Sequence, residues 1–230
     1  MIISKASLSR TTGSQGALAK LLLDGAAGDS GHSLVWSLFA VTGVERRSFL
    51  YRRIDAGSFI TVSQSPPEDA HHLWRIETKD YAPELHPGQR LRFVLRANPV
   101  MSARTPGARR GKKVDAVMHA KFKLAGNERK AFKGGSDAAL DWLIARGPAL
   151  GAEFDRERCS ATGYNQVVIR KSPTRDESGK LKEIKPVTFS EIDYEGTFTV
   201  TDPARLTAAL FAGVGKARSY GCGLMLVRPM

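Results

Sequence analysis

Two short stretches hold the residue types from which a reaction could be built. The first is "GVGKARSYGCG", residues 213–223, where four glycines (213, 215, 221 and 223) surround Lys216, Arg218 and Ser219. Glycines let a backbone come close to a phosphate, and a lysine among them supplies positive charge. The second is His32, which opens "HSLVWSLF". A histidine titrates near neutral pH and can take or give a proton there.

The glycine stretch fails as a nucleotide site. With Gly215-Lys216 as the G-K pair of a phosphate-binding loop, the first glycine falls on Leu210 and the Ser/Thr position on Ala217. The order is also inverted, with a predicted helix before the loop and a strand after it. A dinucleotide fingerprint starting at Gly213 needs a third glycine where Arg218 stands. No cofactor is expected. What remains is a backbone able to approach a phosphate, with Gly213, Gly215, Lys216, Arg218 and Ser219 as its donors. Tyr220 is the aromatic placed either to meet a base or to pack inward.

The segment "DSGHSLVWSLFAVTG" predicts a helix around His32. Asp29 or Ser30 caps it, Leu34, Val35, Leu38 and Phe39 form its apolar stripe, and Gly43 ends it. His32 then lies in the first turn, where free N–H groups and the helix dipole favour a phosphate. RNA can be cut without a metal if the 2′-hydroxyl attacks the neighbouring phosphate. That needs a group to accept the proton, donors for the phosphorane oxygens, and an acid for the departing oxygen. His32 is the candidate for the proton, with Asp29 as its cap or orienting partner. Ser37, with Ser33, is a weaker candidate near the same face. His71, His72, His86 and His119 show no zinc-ligand spacing, so no bound metal is expected.

The composition points to a polyanionic partner. Thirty-five Lys and Arg against 23 Asp and Glu give a net charge of +12, and the isoelectric point is about 10. Nucleic acid ranks ahead of an anionic membrane. The excess is clustered: residues 101–133 hold ten basic side chains against Asp115 and Glu128. Cys159 and Cys222 are far apart and lack metal-ligand spacing, which fits a reduced, cytoplasmic setting. No apolar run reaches the length of a membrane span, and no signal sequence is visible.

These residues need a scaffold. The predicted order is strand, helix, two strands around Asp55-Ala56-Gly57, an ambiguous 65–88, and the alternating strand "GQRLRFVLRANP". A Pro/Gly-rich basic linker follows, then a helix over "GSDAALDWLIARG", capped by Ser136 and stopped at Gly147-Pro148. Two strands joined by a long charged hairpin tip come next. A helix capped by Asp202, with Pro203 first and Gly213 last, leads to a final strand. The pattern predicts an α+β chain of two tandem ferredoxin-like βαββαβ domains, residues 1–97 and 98–230, with a C-terminal Gly-rich loop.

Several blocks resemble one family in its own order: "GHSLVWSLFA", "RRSFLYR", "LHPGQRLRFVLRANP", "YEGTFTVTDP" and the terminal "GVGKARSYGCGLMLVRP". Together they resemble the repeat-associated RNA-binding superfamily of CRISPR systems, and more narrowly the CasE-type endoribonucleases of type I-E Cascade. The resemblance implies a metal-independent endoribonuclease acting on CRISPR repeat stem-loops in antiviral defence. Its products would be a 2′,3′-cyclic phosphate and a 5′-hydroxyl, and it would stay on the crRNA hairpin beside other Cascade subunits. A non-catalytic RNA-binding scaffold of the same superfamily is the alternative. The family's catalytic histidine begins a helix of the "HSLVWSLF" kind, which matches His32. The family tyrosine three residues earlier is here Asp29. Arg170, Lys171 and Arg175 resemble the basic hairpin that grips the RNA stem, with Arg109, Arg110, Lys112 and Lys113 as further backbone contacts.

Overall fold

The structure, a computed structural model, describes residues 1–9, 31–39, 49–70, 72–104, 109, 111–169, 174–175, 181–182 and 185–230. Strands β1 (Ile2–Leu8), β2 (Phe49–Arg53), β3 (Ser58–Ser63) and β4 (Trp74–Asp80) form one antiparallel sheet in the order β2-β3-β1-β4. Within the ambiguous segment 65–88, Trp74–Asp80 is the strand β4, set in register by β1, with Ser7 opposite Arg75. The Asp69 carboxylate accepts from the amides of Leu73 and Trp74 at 2.9 and 2.8 Å and fixes where β4 begins.

A second sheet runs β13-β5-β12-β8, with β9 also on β12. Its members are β5 (Arg90–Ala97), β8 (Ala152–Phe154), β9 (Ser160–Ile169), β12 (Val187–Val200) and β13 (Met225–Pro229). In β5 the pleat buries Leu91, Phe93, Leu95 and Ala97 and turns Arg90, Arg92 and Val94 outward, as the alternation requires. The 14-residue β12 carries β9 on its first part and β8 on its last, with a bulge between Glu191 and Asp193. Both sheets have ferredoxin-like strand order, so the expected fold class holds. One assignment is corrected: β5 pairs with β12 and β13, so the division between the sheets falls between Asp80 and Arg90 rather than at 97/98.

The helices show further departures. Helix α1 (His32–Ser37) starts at His32 as expected, with Gly31 in a left-handed conformation at its N-cap position. Asp29, Ser30 and Gly43 lie outside the described residues. The basic stretch read as a linker contains structure. Strands β6 (Val100–Ala103) and β7 (Lys112–Asp115) pair, and helices α2 (Ala116–Lys123) and α3 (Gly126–Lys130) follow. Asp115 caps α2, accepting from the Met118 amide at 2.7 Å. Helix α4 (Gly135–Ile144) begins after Gly134, so Ser136 lies inside its first turn and is not the cap. It ends at Ala145, and Gly147-Pro148 opens the short α5 (Gly147–Leu150) instead of stopping α4. Helix α6 (Pro203–Ala212) has the predicted cap, with Asp202 accepting from the Arg205 amide at 3.0 Å. The charged tip is a ribbon of β10 (Thr174–Arg175) and β11 (Leu181–Lys182). Among the described residues no helix is long and apolar enough to cross a membrane.

Each sheet has its own core, and a third cluster joins them. Leu34, Val35, Leu38 and Phe39 of the α1 region pack with Phe49, Tyr51 and Phe59 under the first sheet. Leu50, Val62 and Leu224, flanked by Phe211 and Leu226, fill the seam between the two halves. Strand β2 serves both, with Phe49 and Tyr51 facing one way and Leu50 the other. Beside the seam, Asp193 accepts from Arg96 at 2.7 and 3.0 Å and from Arg52 of the first sheet at 3.1 Å. The hydrogen bond to Asp193 raises the Arg96 guanidinium, whereas burial lowers that of Arg52. Both arginines therefore depend on this one carboxylate. Replacing it by Asp193→Ala leaves two adjacent half-buried cations and is expected to cost about 2 kcal/mol, discounted for partial solvent screening. A urea unfolding midpoint equal to wild type would show that the triad contributes nothing.

Candidate active site

The histidine and the glycine-rich stretch meet in space. His32 stands at the first position of α1, and its ring lies 5.3 Å from that of Tyr220, tilted by 47°. Trp36, one turn along the same helix, meets His32 edge-on at 6.0 Å. Tyr220 in turn stacks on Phe189 of β12 at 5.3 Å. Such separations are ordinary for attractive aromatic pairs.

Local backbone geometry explains why these residues arrive there. Gly31 is buried with φ +77°, and a β-carbon on it would lie 2.6 Å from the Phe59 ring. Only glycine lets α1 start so close to the first core. At the other end of the chain, Gly213, Gly215, Gly221 and Gly223 all have positive φ, and so does Ala217 at 52°. A β-carbon on Gly213 would come within 2.8 Å of Leu50, and one on Gly221 within 3.2 Å of Tyr51. The loop is thus seated on β2. The Tyr51 hydroxyl donates to the Ser219 carbonyl at 3.2 Å, and the Gly223 amide donates to the Arg96 carbonyl at 2.7 Å.

The other expected residues divide plainly. Lys216 is exposed and its backbone bridges to Asn98, close to where β6 begins. Arg218 folds back, its stem over Gly213 and Gly223 and its guanidinium donating to the Ala212 carbonyl at the end of α6. Ser219 is held through its carbonyl. Ser37 donates to the Leu34 carbonyl at 2.7 Å, one turn back in its own helix. Lys112 and Lys113 are exposed on β7 and Arg109 is exposed beside that ribbon. Arg175 is on β10, opposite Leu181. Asp29, Arg110, Arg170 and Lys171 lie outside the described residues.

Phe189 and Tyr51 were not singled out from sequence as site residues. Tyr51 sits in "RRSFLYR" as an alternating strand residue, and nothing local tells that its hydroxyl reaches the loop. A groove of about 830 Å³ lies on the second sheet between Arg92, Arg158, Glu195 and Arg228, and His32 does not line it. Its mixed charge is no phosphate-selective lining.

A family model described as "CRISPR associated protein" matches residues 3–229. The chain belongs to that CRISPR-associated family. It is 34% identical over 196 residues to the CRISPR-associated endoribonuclease Cse3 of Thermus thermophilus, covering 85% of this chain and 80% of that protein. Among solved structures, Cse3 bound to a 19-nucleotide RNA superposes with a TM-score of 0.67 at 20% identity, over 99% of this chain and 98% of the other. Thermus thermophilus Cse3 bound to an RNA representing a pre-cleavage complex gives 0.64 at 22% identity, over 99% and 98%. Cas6e of Escherichia coli gives 0.52 at 21% identity, over the full length of both chains. At these identities the structural likeness speaks to the fold, and the CasE-type resemblance read from the sequence is borne out at family level.

The glycine before the histidine gives a sharp test within this CRISPR-associated chain. Gly31→Ala combines a left-handed backbone with a collision against Phe59, so it is expected to lower the melting temperature by ~5 °C or more. Gly88→Ala, also at positive φ but with nothing within 4 Å, is the control and should lower it less. Equal shifts would mean that the Phe59 contact is immaterial.

Proposed function

We propose that this protein is a metal-independent endoribonuclease that cleaves CRISPR repeat stem-loops and stays on the product hairpin as a subunit of Cascade. The observation that supports it best is the contact between His32 and Tyr220, which joins a proton-transfer side chain to a glycine-rich loop that carries the exposed Lys216. The relatives' names supply the substrate class: Cse3 is an endoribonuclease, and its structures hold RNA.

In this reading the 2′-oxygen bonds to phosphorus as the bond from phosphorus to the 5′-oxygen breaks. The products are a 2′,3′-cyclic phosphate and a 5′-hydroxyl. One proton leaves the 2′-hydroxyl and one reaches the departing oxygen, and His32 transfers one of them. Lys216 and loop amides stabilise the charge on the phosphorane oxygens. Arg170, Lys171 and Arg175, together with Lys112, Lys113, Arg109 and Arg110, hold the RNA backbone. An A-form stem offers a deep major groove that side chains read poorly, so these contacts go mainly to phosphates.

Wild type incubated with its repeat RNA in EDTA, without nucleotide, should cleave. His32→Ala should bind with unchanged affinity and not cleave, and a 2′-deoxy residue at the cut should block wild type. Tight binding without cleavage by wild type would favour the scaffold alternative. The double change Lys112→Ala/Lys113→Ala should weaken binding and reduce the slope of log affinity against log salt by about 1–2 units. An unchanged slope removes both lysines from the interface.

A further inference from the structure

We propose that Tyr220 is the positioning residue for His32: the loop's tyrosine ring holds the imidazole in its working orientation. The inference rests on His32 being the proton-transfer group of the proposed reaction.

His32 is the first residue of α1, a helix six residues long, and one turn along that helix Trp36 meets its ring edge-on at 6.0 Å. Tyr220 supplies a second ring at 5.3 Å from a separate part of the fold.

Tyr220 is itself firmly held. It ends a single 3-10 turn, Arg218–Tyr220, bracketed by left-handed Ala217 and Gly221. Its amide donates to the Ala217 carbonyl at 2.9 Å, the preceding carbonyl receives the Tyr51 hydroxyl, and its ring stacks on Phe189. The left-handed region is unfavourable for a residue with a β-carbon, so Ala217, at φ 52°, keeps its conformation because the surroundings impose it. Yet Tyr220 belongs to none of the three apolar clusters that make up the core. An aromatic ring fixed this tightly, outside the core and against the one histidine of the site, is placed to restrict the imidazole. Misplacing a reacting group by about 1 Å can cost on the order of 100-fold in rate.

The test uses the full-length protein and the repeat RNA encoded by the CRISPR array of the same genome. Single-turnover cleavage is measured at saturating RNA, and affinity is measured with the 2′-deoxy RNA. Tyr220→Leu keeps bulk without the ring and is expected to slow cleavage about tenfold, with affinity within about twofold of wild type. Tyr220→Phe keeps the ring and is expected to restore the rate to within about twofold. Slowing of less than about fivefold by the leucine variant overturns the proposal, as does equal slowing by both variants. So does a loss of affinity that disappears as a rate effect at saturation, which would make Tyr220 an RNA contact. Should Tyr220→Leu fail to fold, as judged by its melting temperature, Tyr220→Met takes its place under the same criteria. His32→Ala run in parallel separates the two ideas. Cleavage by that variant ends the assignment of His32, whereas an inactive His32→Ala beside an unslowed Tyr220→Leu ends the role of Tyr220 alone.

Discussion

The seating of the glycine-rich loop on β2 is the constraint from which the rest of the arrangement follows. Gly213 lies against Leu50 and Gly221 against Tyr51, at separations that leave no room for a β-carbon without movement. The Tyr51 hydroxyl then takes the Ser219 carbonyl and fixes the turn that presents Tyr220. Because Tyr51 and Phe59 share the core that α1 covers, the same packing that seats the loop also places Gly31 and His32. The glycines therefore answer to close packing, which only a residue without a β-carbon permits there.

Much of the fold was legible in the sequence because local rules and tertiary demands agreed. The alternation in "RLRFVLRA" is the pleat of β5, and Asp202-Pro203 with Gly213 brackets α6 at both ends. Where they disagreed, the sequence misled. The basic stretch with its prolines and glycines reads as a linker by composition, yet Asp115 caps a helix there whose buried residues are only Ala116 and Val117. So small an apolar face leaves little periodic signal. The segment that holds β4 was ambiguous because its strand character comes from pairing with β1, not from its own residues.

The site was legible in pieces and not as a whole. His32 and the glycine-rich loop each stood out by residue type, but their contact is set by how two sheets dock. The residues that govern docking (Leu50, Tyr51, Leu224, and Arg52 with Asp193 and Arg96) look like ordinary strand residues in the sequence. The reading of the loop changes accordingly. Tyr220, left open between meeting a base and packing inward, packs against the histidine.

His32 and Tyr220 come from opposite ends of the sequence, and that has a consequence for synthesis. A ribosome making this chain releases the histidine early and the tyrosine nearly two hundred residues later. Until then a growing chain holds His32 without the ring of Tyr220 beside it. The pairing forms only after β12 has supplied Phe189 and the loop has settled on β2. The contact thus waits for both halves of the fold, and a product terminated before Tyr220 lacks it altogether.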